Sequence, residues 1–213
     1  MIDKTRILKL KIAAAKSRRN VLRMIKASGH GHVGGALSAI DVVTALYFDK
    51  MNIDPSDPAK PDRDRFLLSA GHKCLAQYSV MAERGYMDLS VLDTYGSFKA
   101  CIPGHPDMHK LPGVEANTGA LGHGMSIAAG MAMSAKLNKE EFCVYAVTGD
   151  GELPEGSNWE AAAAAGKFGL DNLVVFVDNN GLQISGKVTD VMSMEDIQDK
   201  FRAFGFAVTE IDG

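Results

Sequence analysis

Two short apolar runs, Phe142-Cys143-Val144-Tyr145-Ala146-Val147 and Leu173-Val174-Val175-Phe176-Val177, constrain this chain more than any other feature. Neither alternates apolar with polar, so each must be buried on both faces, and each is too short for a core helix. The helical stretch Trp159 to Phe168 separates them, and strands joined by a helix lie parallel in one sheet. The pattern extends in both directions. Phe66 to Ser69 reads as a strand backed by a helix from Cys74 to Arg84, and a helix from Gly124 to Lys136 precedes the first run. After the second run come a helix from Met194 to Phe204 and a strand from Phe206 to Ile211. Two amphipathic helices, Thr5 to Ala27 and Leu37 to Phe48, form a helical segment over residues 1–50. These readings predict an α/β fold, an open, mostly parallel sheet with helices on both faces, as a single domain over 1–213.

A chain of 213 residues, 46% hydrophobic, can bury a core that needs no disulfide or structural metal. Lys and Arg total 23 against 26 Asp and Glu, a formal charge of -3, so no global field draws nucleic acid or anionic lipid. Basic residues do gather between Lys4 and Lys26, but they alternate with Ile7, Leu8, Ile12, Val21, Leu22 and Ile25 at helical spacing. That pattern reads as a solvated helix face rather than an anion patch. Cys74, Cys101 and Cys143 are odd in number and form no C-x-x-C pair, which argues against a disulfide framework and a zinc ribbon. No run approaches the length of a membrane span and no leader is legible, so the expectation is a cytoplasmic protein that binds neither membrane nor nucleic acid.

In parallel sheets ligands bind beyond the carboxyl ends of the strands, which directs attention to the loops starting at Ser69, Thr148 and Asp178. Gly29-His30-Gly31-His32-Val33-Gly34 matches G-x-G-x-x-G but follows a helix rather than a strand, so it is not read as a dinucleotide site. His105 and His109 have zinc-like spacing, yet Pro103, Gly104 and Pro106 forbid the helix that would align them. A loop presenting His105 to a site and a plain surface histidine both fit. Asp150, between Gly149 and Gly151, and Asn180, thirty positions later, each end a buried strand. A carboxylate oxygen, an amide oxygen and a backbone carbonyl such as that of Leu182 make half of an octahedral hard-cation site. With one protein charge such a site implies a di- or triphosphate supplying the remaining oxygens. Gly149 and Gly151 let backbone N–H groups approach that phosphate.

Gly149-Asp150-Gly151 followed by Asp178-Asn179-Asn180 resembles the thiamine diphosphate motif, and the surrounding segments resemble those of transketolase. Ser28 to Gly35, Leu68 to His72, Pro103-Gly104-His105-Pro106, Gly113 to Gly122 and Glu155-Gly156-Ser157 are similar to transketolase segments in the right order, over nearly the whole chain. The resemblance implies a thiamine diphosphate-binding fold of the diphosphate-binding type. It implies Asp150, Asn180 and the Leu182 carbonyl as ligands of Mg2+ or Ca2+, His72 and Gly151 on the diphosphate, and Gly119 to Leu121 along the cofactor rings. His32 and His105 are similar to the histidines that contact the ketose donor; Gly31-His32 with Gly34-Gly35 aligns best, which selects His32 over His30. Glu155 is similar to an interface residue. Val33 stands where the family often has proline. His123 replaces a common glutamine, as either a substrate contact or a helix-start residue.

The family's pyrimidine-binding part, with its activating glutamate, has no counterpart in these residues. The implied function is therefore the N-terminal subunit of a split transketolase, moving a two-carbon ketol unit from a ketose or ketose phosphate to an aldose or aldose phosphate. A C-terminal subunit would complete the site, in an α2β2 heterotetramer. The rival is a non-catalytic, transketolase-like regulatory protein acting through protein contacts.

Overall fold

The computed structural model describes residues 3–184 and 186–213. They form two compact units, the first running up to Asp64 and including Gly71–Gly119, the second Arg65–Ala70 with Ala120–Gly213.

The first unit is built on three helices packed against one another, α1 (Lys4–Ser28), α2 (Val33–Ala45) and α3 (Cys74–Arg84). Asp3 caps α1, its carboxylate accepting from the Thr5 N–H at 2.9 Å, and Gly29 ends it in a left-handed conformation, φ 73°. The helix buries Ala13, Ala14, Ser17, Asn20, Val21 and Met24. α2 begins four residues earlier than the apolar pattern predicts. Gly34 and Gly35 look like breakers in sequence, yet a Cβ at Gly35 would stand 3.1 Å from Cγ of Lys73, so the helix needs a small residue there. The last turn widens into a π-helical turn, Leu46–Lys50. The long polar segment before Gly119 is tied down rather than loose. Arg63 pairs with Glu115, the Tyr78 hydroxyl donates to the His105 carbonyl at 2.9 Å, and the Met108 N–H donates to Asn117 Oδ1 at 2.8 Å.

The second unit contains a parallel sheet in the order β1 (Arg65–Leu68), β2 (Val144–Gly149), β3 (Leu173–Asp178). The register pairs Leu68 with Val147 and Gly149 with Asp178, so the loops after β2 and β3 leave side by side. Every residue of β2 is buried, as its unbroken apolar run requires. α4 (Gly124–Asn138) leads into β2, and α5 (Gly156–Lys167) joins β2 to β3. A two-stranded hairpin, β4 (Leu182–Gln183) with β5 (Gly186–Lys187), follows, then the short α6 (Val188–Met192) and α7 (Ile197–Ala203). Met125, Leu153, Ala161, Ala162 and Phe201 form a buried cluster onto which Trp159, Val175, Val177 and Phe206 pack. The α/β class and the open parallel sheet are as the sequence implies.

One expected element is corrected. Residues 206–213 form no strand. The alternation of half-buried Phe206 and Val208 with exposed Ala207 and Thr209 reports packing against the core cluster, and burial without a hydrogen-bonded neighbour makes no strand. α7 likewise starts three residues later than expected, at Ile197.

Candidate functional site

In the second unit, the loop after β2 turns at once into a 3-10 turn, Asp150–Glu152. Asp150 is 2% exposed, and its carboxylate accepts the Gly151 N–H at 2.9 Å and the Gly181 N–H at 2.7 Å. The second bond ties the β2 loop to the β3 loop, where Gly181 adopts φ 72°. No cationic side chain pairs with Asp150 among the described residues. A buried carboxylate with two backbone donors still has acceptor positions to fill, and burial without a cation is costly. Asn180 folds over the same loop, its Oδ1 accepting the Leu182 N–H at 3.0 Å. Among the described residues no three His, Cys, Asp or Glu side chains gather into a metal-holding group. The link from Asp150 to the Gly181 N–H brings its carboxylate to the loop that carries Asn180 and Leu182. Gly151 has no room for a side chain: a Cβ would come within 2.9 Å of Gln183 Cβ.

Glu152, to which the sequence motif assigns no role, organises this end of the sheet. Its Oε1 accepts the Ser69 hydroxyl and the Gly122 N–H (2.9 Å), its Oε2 accepts the Gly149 N–H (3.3 Å), and Asn158 Nδ2 donates to its carbonyl at 2.8 Å. One carboxylate therefore links the end of β1, the approach to α4 and the end of β2. Leu121 lies in that approach, half-buried. Close packing continues through Gly122, where a Cβ would stand 2.6 Å from Glu155 Cβ and from Ser157 Oγ, and through Gly124, 2.5 Å from Ser69 Cβ. His123 is exposed at the N-cap of α4, Nδ1 3.1 Å from the Leu121 carbonyl, the position of a helix-start residue.

In the first unit, His32 stands at the N-cap of α2 and His72 in the 3-10 turn Gly71–Lys73 ahead of α3. Their rings meet edge-to-face with centroids 5.1 Å apart. Burial holds His72 well below the usual imidazole range, at about 4, and the neighbouring His32, Lys73 and His105 push the same way. His72 is therefore neutral at pH 7. Gly71, Gly119 and His105 interlock: a Cβ on Gly71 would be 2.7 Å from the Thr118 carbonyl, and one on Gly119 (φ 134°) 2.5 Å from His105 Cδ2. Thus His32, His72, His105 and Gly119 gather in this unit. His30 lies apart, its ring 5.8 Å from that of Tyr95, and lines a cavity of about 730 Å3 with Phe98, Lys99 and Cys101. His109 sits in a turn, its N–H donating to Asp107 Oδ1 at 2.9 Å, and forms no helical pair with His105. No disulfide joins Cys74, Cys101 or Cys143 among the described residues, and burial pushes the Cys74 thiol up to about 12.

The parallel sheet, with glycine-bearing loops leaving β2 and β3 side by side, makes this an α/β domain of the kind that binds ligands beyond the carboxyl ends of its strands. Residues 10–213 match the family described as transketolase, thiamine diphosphate binding domain. The chain belongs to the transketolase family and carries that domain. Similar proteins include an apulose-4-phosphate transketolase subunit of Phocaeicola vulgatus, 45% identical over 96% of this chain and 72% of the relative. The 6-deoxy-6-sulfo-D-fructose transketolase subunit SqwG of a Clostridium species is 43% identical over 92% and 71%. Among solved structures, transketolase from Leishmania mexicana superposes with a TM-score of 0.89 at 30% identity, over 95% of this chain. The chain spans 32% of the length of that structure's chain. No helix among the described residues is long and apolar enough to cross a membrane.

Proposed function

We propose that this chain is the N-terminal, diphosphate-binding subunit of a split transketolase, which transfers a two-carbon ketol unit from a ketose or ketose phosphate to an aldose or aldose phosphate. The buried Asp150 carboxylate, held by two glycine N–H groups and paired with no cationic side chain among the described residues, carries the reading. Relatives whose names make them one subunit of a transketolase support the second chain. That chain is the C-terminal, pyrimidine-binding subunit, in an α2β2 assembly working in the cytoplasm.

Asp150, the Asn180 side chain and the Leu182 carbonyl hold Mg2+, with Ca2+ as a substitute, and Gly151, which has no side chain, lets the diphosphate approach the main chain there. His72, neutral at pH 7, donates to a phosphate oxygen without bringing a charge that would need neutralising. Gly119 and Leu121 line the cofactor rings, where Gly119 has no side chain to obstruct them. Bound thiamine diphosphate supplies the carbon nucleophile that allows the ketose C2–C3 bond to break. His32 and His105 hydrogen-bond the donor's hydroxyls and hold the proton that moves as that bond is broken.

The test mixes the chain with the C-terminal transketolase chain of its own source, thiamine diphosphate and Mg2+, and follows two-carbon transfer from a ketose phosphate. Activity from the mixture, absent from either chain alone and lowered at least about 100-fold by Asp150→Ala, supports the proposal. A mixture that forms the complex, binds the cofactor and transfers nothing would point to the regulatory reading instead.

A further inference from the structure

α1 carries two faces of different kinds. One is buried in the first unit, and the other is an exposed heptad seam. Thr5, Leu8, Ile12, Ala15, Arg19 and Leu22 recur at alternating spacings of three and four, the a and d positions of a coiled coil. All six are solvent-exposed, and the large apolar members are well exposed, Leu8 at 58%, Ile12 at 49% and Leu22 at 55%. Isolated exposed leucines need no explanation, but three on one line along two heptads of one helix form a strip about 21 Å long.

The flanks say what fits the strip. The e positions are Lys9, Lys16 and Arg23, and the first three g positions are Lys4, Lys11 and Arg18. The arginines that face the protein already have partners: Arg6 with Asp49, Arg18 with Asp41 and Arg23 with Asp93. Lys4, Lys9, Lys11 and Lys16 have no ion-pair partner among the described residues. Four unpaired lysines thus border the Leu8–Ile12–Ala15 stretch on both sides.

We propose that this seam is a docking surface for an acidic amphipathic helix of another polypeptide, with apolar residues at its own a and d positions and Asp or Glu at e and g. A second copy of this chain does not fit, since parallel or antiparallel pairing would set lysine against lysine along both flanks. An anionic membrane is a poorer occupant. The apolar strip is only a coiled-coil seam wide, contains no aromatic residue and is interrupted by Arg19, whereas interfacial helices insert a broad apolar face.

The probes are two synthetic four-heptad peptides with leucine at a and d, one with glutamate and one with lysine at e and g, together with phosphatidylserine–phosphatidylcholine vesicles. Titrated into the whole chain and followed by fluorescence anisotropy, the glutamate peptide binds at least about tenfold more tightly than the lysine peptide. Leu8→Ser with Ile12→Ser, which leaves every charge in place, abolishes that binding while the far-UV circular dichroism is unchanged. Lys9→Glu with Lys16→Glu, which leaves two lysines against two glutamates along the flanks, abolishes the preference for the glutamate peptide. Binding that survives the double serine variant is mere polyelectrolyte attraction and overturns the proposal. So does equal affinity for both peptides, vesicle binding lost in the serine variant, or self-association lost in it.

Discussion

Glu152 receives three donors on its two carboxylate oxygens, from Ser69, Gly122 and Gly149, and is 2% exposed. Glu152→Ala leaves those donors without an acceptor and lowers unfolding free energy by about 2–4 kcal/mol in urea titration; an unchanged midpoint would show that the loop does not depend on it. His72 gives a pH signature. Its proton is held less tightly folded, at about 4, than unfolded near 6.5, so the unfolded chain binds more protons in that window. Stability is unaffected above pH 6.5 and falls as the pH drops toward 4, by about 1–2 kcal/mol once solvent screening of this half-buried group is allowed for. His72→Gln removes that slope, seen as a smaller gap between urea midpoints at pH 7 and pH 4.5. That Asp150 is buried at the end of a buried strand was legible in sequence, because the apolar run Phe142 to Val147 leads straight into it. Glu152 was not, because its partners Ser69 and Gly122 lie 83 and 30 positions away and only the fold brings them together.

At the scale of elements, β2 and β3 were legible because a fully apolar run of that length has one solution, whereas segments defined by pattern alone shifted. The start of α2 was hidden by two glycines, of which Gly35 packs closely against Lys73, and residues 206–213 alternate in exposure like a strand while lying outside the sheet. Their anchor is aromatic. Phe201 on α7 meets Trp159 at 5.3 Å and Phe206 at 5.4 Å between ring centroids. Phe201→Ala therefore costs about 3–5 kcal/mol and exposes the last residues to protease before the rest of the second unit, read by limited proteolysis. Equal cleavage rates along that unit in wild type and variant would disprove the anchoring. Gly124→Ala tests the first turn of α4, since its Cβ would lie 2.5 Å from Ser69 Cβ and 2.6 Å from Ser69 Cα. The helix must shift, and a loss of about 1–3 kcal/mol is expected in the same urea assay.

For the whole molecule, family membership rests on a match from residue 10 to residue 213 and on relatives 45% and 43% identical, and the proposed chemistry rests on a single carboxylate. In the proposed function one protein charge faces the divalent cation, too little to hold it tightly alone, so there cation and diphosphate bind as a unit. Calorimetric titration of thiamine diphosphate into the two-chain assembly, with Mg2+ and again with EDTA, measures that coupling directly. Tight binding is expected to weaken at least about 100-fold either in EDTA or in the Asp150→Ala variant, with no further loss when both are combined. Cofactor affinity that is unchanged by Asp150→Ala would contradict that coupling.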